Sequence, residues 1–318
     1  MTIKEALQQV DHHDRIAVEV LLARALKAPK EQLFAYPERD LSQDDMDRFL
    51  HDVERLRAGE PLAYIIGEKE FYGLEFEVNE HVLIPRPETE LMVDKVKDFV
   101  GDKSLKILDV GTGSGAIAVA IAHVLPQVKV VATDVSGDAL EVAKRNAVKH
   151  EVQDRIRFLE SDLLENIDED FDVIVANLPY IGEERFRFVS KETEQFEPHV
   201  ALFGGMDGLQ LYRKLFEDIH KKGLKPGLLI GEFGFAQAEE MELVLSKFFE
   251  QNEWHIEKDY ASIERIFVVN LANAGSKNFN NWNRNLRIWK SRWRIQKLFK
   301  IRQSMPSLDS ATKRLPRL

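Results

Sequence analysis

The chain has no cysteine. That absence excludes a disulfide scaffold, a thiolate metal site and a cysteine nucleophile together. Also missing is any apolar run near the ~18 residues that a membrane-spanning helix requires. The first residues, Met1-Thr2-Ile3-Lys4-Glu5, turn polar at once, without the apolar stretch of a signal peptide. No His-Glu-x-x-His and no Gly-Lys-Ser/Thr phosphate loop occurs. The nine histidines are scattered, and even His12-His13 falls in a polar helical stretch. Ser114 lacks the glycine two positions earlier that a nucleophile elbow needs. The expectation is a cytoplasmic protein with no metal site and no membrane span.

What is there is ordinary in amount and uneven in distribution. The 318 residues are 44% apolar and 31% charged, as in a folded soluble chain of about two domains. The net charge of −10 conceals a division. Residues 271–318 hold 12 Lys and Arg against one acid, Asp309, so that stretch carries +11 and residues 1–270 carry −21. A body that acidic repels nucleic acid in general, which argues against a non-specific nucleic-acid binder.

Ile3, Ala6, Leu7 and Val10 recur at helical spacing, as do Val18, Leu21, Leu22 and Ala25, then Met46, Phe49, Leu50 and Val53. Pro29 and Pro37 break the segments, and Gly59 with Pro61 closes the set. Residues 1–62 therefore read as a small helical bundle, either a packing module or one that recognises a partner. From Tyr64 to Pro85 the pattern shifts to alternation, with Phe71, Leu74, Phe76, Val78, Val82 and Ile84, which predicts a β-hairpin linker over 63–86. Pro87 is suited to start the helix that Leu91, Val93 and Val96 suggest.

Strand-like runs then fall at 106–110, 129–133, 157–159, 172–176, 228–231 and 266–269, with helical stretches at 116–124, 137–149, 209–221 and 236–249. This alternation predicts an α/β fold over 87–270, a doubly wound, mostly parallel sheet covered on both faces. Ligands of such sheets sit outside the carboxyl ends of the central strands.

Two features lie at such ends. Gly111-Thr112-Gly113-Ser114-Gly115 runs from the strand ending at Val110 into a helix. Glycines let the backbone turn sharply and approach a ligand closely, and the helix start presents free N–H groups. Asp134 closes the next strand. A carboxylate there can accept both hydroxyls of a ribose, or it can cap the helix beginning at Ser136. Loop and acid together indicate an adenosine-type ligand and leave NAD and S-adenosyl-L-methionine both open.

After the strand at 172–176 comes Asn177-Leu178-Pro179-Tyr180. Combined with Asp109-x-Gly111-x-Gly113-x-Gly115, it resembles an S-adenosylmethionine methyltransferase acting on a planar amide or amino nitrogen. That resemblance chooses between the cofactors. The residue types suit the chemistry. An amide nitrogen is a poor nucleophile, because its lone pair is delocalised into the carbonyl, so positioning must carry the rate. Asn177 offers a side-chain carbonyl acceptor and Leu178 a backbone one. Pro179 stiffens the turn without a competing N–H, and Tyr180 can lie flat on the planar group.

Asn-Leu-Pro-Tyr taken alone is the form usual in ribosomal RNA adenine dimethyltransferases. The rest of the chain is similar to the release factor glutamine methyltransferases (the HemK/PrmC family). Tyr64-Ile65-Ile66-Gly67, Phe71-Tyr72-Gly73-Leu74-Glu75-Phe76, and Val82-Leu83-Ile84-Pro85-Arg86-Pro87-Glu88-Thr89-Glu90 carry that resemblance. So do Glu197-Pro198, Ala201-Leu202, Gly204-Gly205 and Asp207-Gly208-Leu209. The likeness extends over about residues 1–270 and implies a Rossmann-like methyltransferase domain behind an N-terminal helical bundle.

By position, it implies that Gly111, Thr112, Gly113, Ser114 and Gly115 cradle the methionine part of S-adenosylmethionine. It implies Asp134 at the ribose, Asp162 and Leu163 beside the adenine, and Asn177 to Tyr180 around the substrate, with Asn177 also close to the methyl donor. The implied substrate is the glutamine of the Gly-Gly-Gln motif in peptide chain release factors, whose methylation tunes translation termination. Pro85 to Glu90 would line the entrance, with Arg86 a salt-bridged organiser. Two alternatives stand beside this reading: an adenine-directed ribosomal RNA methyltransferase, suggested by Leu178, and a non-catalytic S-adenosylmethionine-binding module. The chain departs from the family at Leu178, where proline is usual, and at Ser262, where glycine is usual. Residues 271–318 depart in length and composition, with Trp282, Trp289 and Trp293 among basic residues. They suggest either a contact with ribosomal RNA or an anionic membrane face, or a disordered extension.

Overall fold

The structure is a computed structural model and describes residues 1–10, 14–183 and 190–271. The readings of the basic tail and of His12-His13 concern residues outside these.

Thr2 opens the first helix with a reciprocal cap: its Oγ1 accepts from Glu5 N, and Glu5 Oε2 accepts from Thr2 N. Helices α1 (Ile3–Gln9), α2 (Arg15–Ala25), α3 (Glu31–Ala35), α4 (Gln43–Arg57) and α5 (Leu62–Ile66) follow one another. Asp14 and Ser42 cap α2 and α4 in the same chemical way. Their apolar stripes meet in one cluster around Ile3, Leu21, Leu22, Phe49, Val53 and Ile65. Gly59 and Pro61 do not end the helical set as expected. Pro61 stands just before α5, which Gly67 stops by turning left-handed at φ 86°.

The linker is accordingly part helix. Only β1 (Glu68–Phe71) and β2 (Leu74–Glu77) pair, antiparallel. Val82 and Ile84 pair with nothing in a sheet. They pack with Tyr64, Val78 and Ala139, and the Tyr64 hydroxyl donates to the Val82 carbonyl at 2.5 Å. A short helix over Pro87–Thr89 leads into α6 (Glu90–Val100).

The main sheet comprises β3 (Lys106–Val110), β4 (Lys129–Asp134), β5 (Ile156–Glu160), β6 (Val173–Ala176), β7 (Leu228–Glu232), β8 (Trp254–Lys258) and β9 (Glu264–Asn270). Their order is β5-β4-β3-β6-β7-β9-β8. The first five run parallel, whereas β9 is antiparallel to both β7 and β8. Successive residues point to opposite faces and enter two separate cores. Ile107, Val173 and Val175 face one, with α6 and α7 (Ala116–Val124). Leu108, Val110, Ile174 and Ala176 face the other. Elements α8 (Gly137–Lys149), α9 (Lys191–Phe196), α10 (His199–Leu202), α11 (Gln210–Lys222) and α12 (Ala238–Phe248), with a single short turn of helix at Gln153–Arg155, complete the described helices. Each fully buried Leu, Ile or Val in these cores contributes roughly 1.5–3 kcal/mol of transfer free energy.

Chain order reverses between β3 and β6, which places a crevice at their carboxyl ends. Among the described residues no helix is long and apolar enough to cross a membrane.

Candidate functional site

The crevice opens into a cavity of ≈ 580 Å³, a size that suits a small organic ligand. Its wall includes Gly111, Thr112, Gly113, Ser114, Asp134, Asp162, Leu163, Asn177, Leu178 and Pro179. The fold thus brings together two motifs and two acidic positions spread over 68 positions of chain, from Gly111 to Pro179. Gly115 and Tyr180, each next in the chain to a lining residue, are not themselves among the lining residues. Pro85, Arg86 and Thr89 border the same cavity, as do Val200 and Phe203.

One half of the cavity is made by backbone. Gly111, Gly113 and Gly115 all have left-handed φ, at 73°, 55° and 79°. A Cβ on Gly111 would lie 3.1 Å from Leu178 Cδ2, and one on Gly115 would lie 3.0 Å from Ala143 Cβ. Side chains at these positions would press the loop off the Leu178 side chain and off α8. Gly113 N donates to Asp134 Oδ2 at 2.8 Å, while Asp134 Oδ1 accepts from Ser136 N at 3.0 Å. Ser136, not Asp134, caps α8. Asn146, fully buried on α8, donates to the carbonyls of Ser114 (2.8 Å) and Glu77 (3.0 Å). It thereby ties the loop to the small hairpin. Below the loop, Asp109 is buried completely and accepts from Thr112 Oγ1 (2.7 Å) and Ala118 N (3.2 Å). Burial lifts its carboxyl to about 7.

The other half is made by side chains from distant positions. Glu232 ends β7 and is buried. Its Oε2 accepts from Thr89 Oγ1 at 2.6 Å and from Asn177 Nδ2 at 3.4 Å, and its Oε1 accepts from the Tyr180 hydroxyl at 3.4 Å. Asn177 Nδ2 also donates to Thr89 Oγ1 at 3.2 Å. Asn177 Oδ1 is buried and has no hydrogen-bond partner among the described residues. Burial raises the Glu232 carboxyl to about 7 against the opposing pull of its Thr89 bond and of Arg265. The Tyr212 hydroxyl, from α11, accepts from Leu178 N at 3.4 Å. It shares its proton between the carbonyls of Ala176 and Glu232, which clamps the ends of β6 and β7 together. Gln237 accepts from Gly234 N and donates to the carbonyls of Tyr180 and Asp207.

At the mouth, Arg86 donates to Glu197 Oε1 at 2.5 Å and Ile84 N donates to Glu197 Oε2 at 3.1 Å. Arg86 is therefore an ion-paired organiser of the entrance segment. The turn between β8 and β9 holds Ser262 at φ 67°, left-handed, where a glycine would be unstrained. Sequence reasoning missed Asn146, Tyr212, Glu232 and Gln237 as parts of the site, and placed Thr89 only within the entrance segment 85–90. The one signal that could have found Glu232 is its position at a strand's carboxyl end within an apolar run. Among the described residues no group of three or more His, Asp or Glu could hold a metal ion.

The walls fit an adenosine-type ligand. The loop glycines would let a ligand approach the backbone at van der Waals distance, and the Asp134 carboxylate belongs to a residue of the cavity wall. Residues 2–67 match the PrmC N-terminal domain family, and residues 87–192 match the methyltransferase small domain family. The chain is 37% identical over 280 residues to a release factor glutamine methyltransferase of Koribacter versatilis, covering 84% of this chain and 98% of that protein. It is 36% identical over 265 residues to one of Rhodopirellula baltica, covering 81% and 90%. A bifunctional methyltransferase of Rickettsia felis is 39% identical over 280 residues, 79% of this chain and 52% of that protein, so the chain spans about half of that relative. Among solved structures, the hMettl16 catalytic domain in complex with MAT2A 3'UTR hairpin 1 superposes with a TM-score of 0.53 at 14% identity, covering 80% of this chain and 92% of that one. That likeness establishes the fold alone.

Proposed function

This chain belongs to the release factor glutamine methyltransferase family, and from that premise we propose its reaction: methylation of the side-chain amide nitrogen of the glutamine in the Gly-Gly-Gln motif of peptide chain release factors. The methyl donor of this enzyme is S-adenosylmethionine. When bound, it supplies an electrophilic methyl group on a sulfonium, transferred to the amide nitrogen with release of a thioether and one proton. Gly111 to Gly115 would hold its methionine part, Asp134 its ribose, and Asp162 with Leu163 its adenine.

The protein's own work is positional. A carboxamide nitrogen is weakly nucleophilic, and holding it in line supplies rate without a strong base. Asn177 Oδ1 accepts one N–H of the substrate amide and the Leu178 carbonyl accepts the other. Pro179 brings no N–H to compete, and Tyr180 completes the turn.

The observation that carries this reading is the buried, unpartnered Oδ1 of Asn177, a residue that lines the cavity. A buried acceptor without a donor costs about 1–3 kcal/mol, which an arriving N–H relieves and a carboxylate or ester oxygen does not. The test is mass spectrometry of a release factor co-expressed with the protein. We expect one added methyl on the glycine-flanked glutamine. Methyl label appearing in ribosomal RNA and never in a release factor would overturn the proposal.

A further inference from the structure

An asparagine side chain has almost the same shape either way round, because rotation of its terminal amide by 180° exchanges Oδ1 with Nδ2. Shape alone does not decide which atom meets the substrate. We propose that Thr89 and Glu232 are positioning residues that hold the Asn177 carboxamide with its oxygen toward the substrate nitrogen, and so set the enzyme's selection of glutamine over glutamate. This rests on the role proposed above for Asn177, whose Oδ1 accepts a hydrogen bond from the substrate amide.

The polarity of the bonds makes the argument. A carboxylate only accepts, so in the 2.6 Å contact with Glu232 Oε2 the Thr89 hydroxyl is the donor. Thr89 Oγ1 then has only lone pairs left for Asn177, which it faces at 3.2 Å. Glu232 Oε2 presents a second acceptor at 3.4 Å. Two acceptors on one side of the carboxamide attract its NH2 and repel its oxygen. The oxygen is left on the other side, where it has no partner among the described residues. The three residues come from three separate segments, and 143 positions separate Thr89 from Glu232.

Glu232 must be ionised for this polarity to hold. Once protonated, it can donate to Thr89, which then becomes free to donate to Asn177 and turn the amide over. The charged and titratable groups facing Glu232 are Arg265 from β9, Glu88 from the short helix before α6, Tyr212 from α11, and Tyr180. Arg265 favours the ionised form, while Glu88 and burial oppose it. With the balance near 7, glutamine selection weakens as pH falls below neutrality.

The experiment compares the affinity of a release factor with that of the same factor carrying Gln→Glu in its Gly-Gly-Gln motif, measured by calorimetry with S-adenosylhomocysteine present. Wild type, Thr89→Val and Glu232→Gln are tested at pH 8, and each variant's melting temperature is recorded. Wild type should prefer the glutamine form. In both variants that preference should shrink by about tenfold or more, because the freed amide can offer N–H to a carboxylate. A residue that merely supports the fold would weaken both forms equally. An unchanged preference in folded Thr89→Val overturns the clamp while leaving the proposed reaction standing. A wild type that binds both forms alike overturns the clamp and the role of Asn177 together.

Discussion

The two halves of the cavity are built by opposite means. Between β3 and β4 the wall is main chain: left-handed glycines, an N–H held by Asp134, and a helix start, all within residues 111–136. Around β6 and β7 the wall carries the Thr89 and Asn177 side chains, which Glu232 and Tyr180 back in one hydrogen-bonded net. A main-chain wall suits the part of the reaction in which the ligand never changes, since any backbone of that shape presents the same N–H groups. A side-chain wall suits the part in which one acceptor must be told from another. Affinity for the methyl donor should reside in the first half and choice of acceptor in the second.

Perturbing one half at a time tests that division. Asn177→Ala should lower kcat by about 10²-fold or more while shifting donor affinity less than about threefold, by stopped assay and calorimetry respectively. A comparable loss of donor affinity would erase the division. Gly115→Ala acts on the opposite half. Its left-handed φ of 79° and the 3.0 Å approach to Ala143 Cβ should together lower stability by about 2–3 kcal/mol, read from the urea midpoint at constant slope. Donor binding should weaken with it, and glutamine selection should survive in the folded fraction.

The two buried carboxyls, one under each half, give a pH signature. Asp109 and Glu232 both sit near 7 when folded, above their ordinary values of 3.8 and 4.5. Their contribution to stability is complete below those ordinary values and is lost as pH rises to and through 7. Glu232→Gln should therefore match wild type in unfolding free energy near pH 4.5 and exceed it at pH 8, by roughly 1–3 kcal/mol, read from urea midpoints. A variant less stable at pH 8 would mean that ionised Glu232 is better solvated than its burial implies. The smallest effect lies outside both halves. Ser262→Gly relieves a φ of 67° and should stabilise by about 0.5–1 kcal/mol in thermal melts, without touching activity.

Much of the architecture was legible beforehand because its causes are local. Period-3.6 stripes marked α1, α2 and α4, and apolar runs marked β3, β4, β6 and β7 within a residue or two. The exceptions are instructive. Strand β8, Trp254-His255-Ile256-Glu257-Lys258, lies at the sheet edge and is half-buried, so it lacks the continuous apolar run of the inner strands. Val82 and Ile84 alternate as a strand would, yet their alternation serves packing against Tyr64 and α8. Helix α5 follows Pro61, a residue that reads as a stop but equally permits a start.

The amino-acid sequence by itself determined the sheet's layering, the glycine loop, the acid after β4 and the tetrapeptide after β6. In each case the requirement falls on neighbouring residues: a turn needs its glycine, and a buried strand needs its apolar run. Only the tertiary structure decided which way the Asn177 amide faces, that Thr89 and Glu232 flank it, and that Asn146 holds the loop to the hairpin. Those arrangements are made by groups that meet across the fold, and hydrogen-bond polarity has no period along a chain from which it could be read.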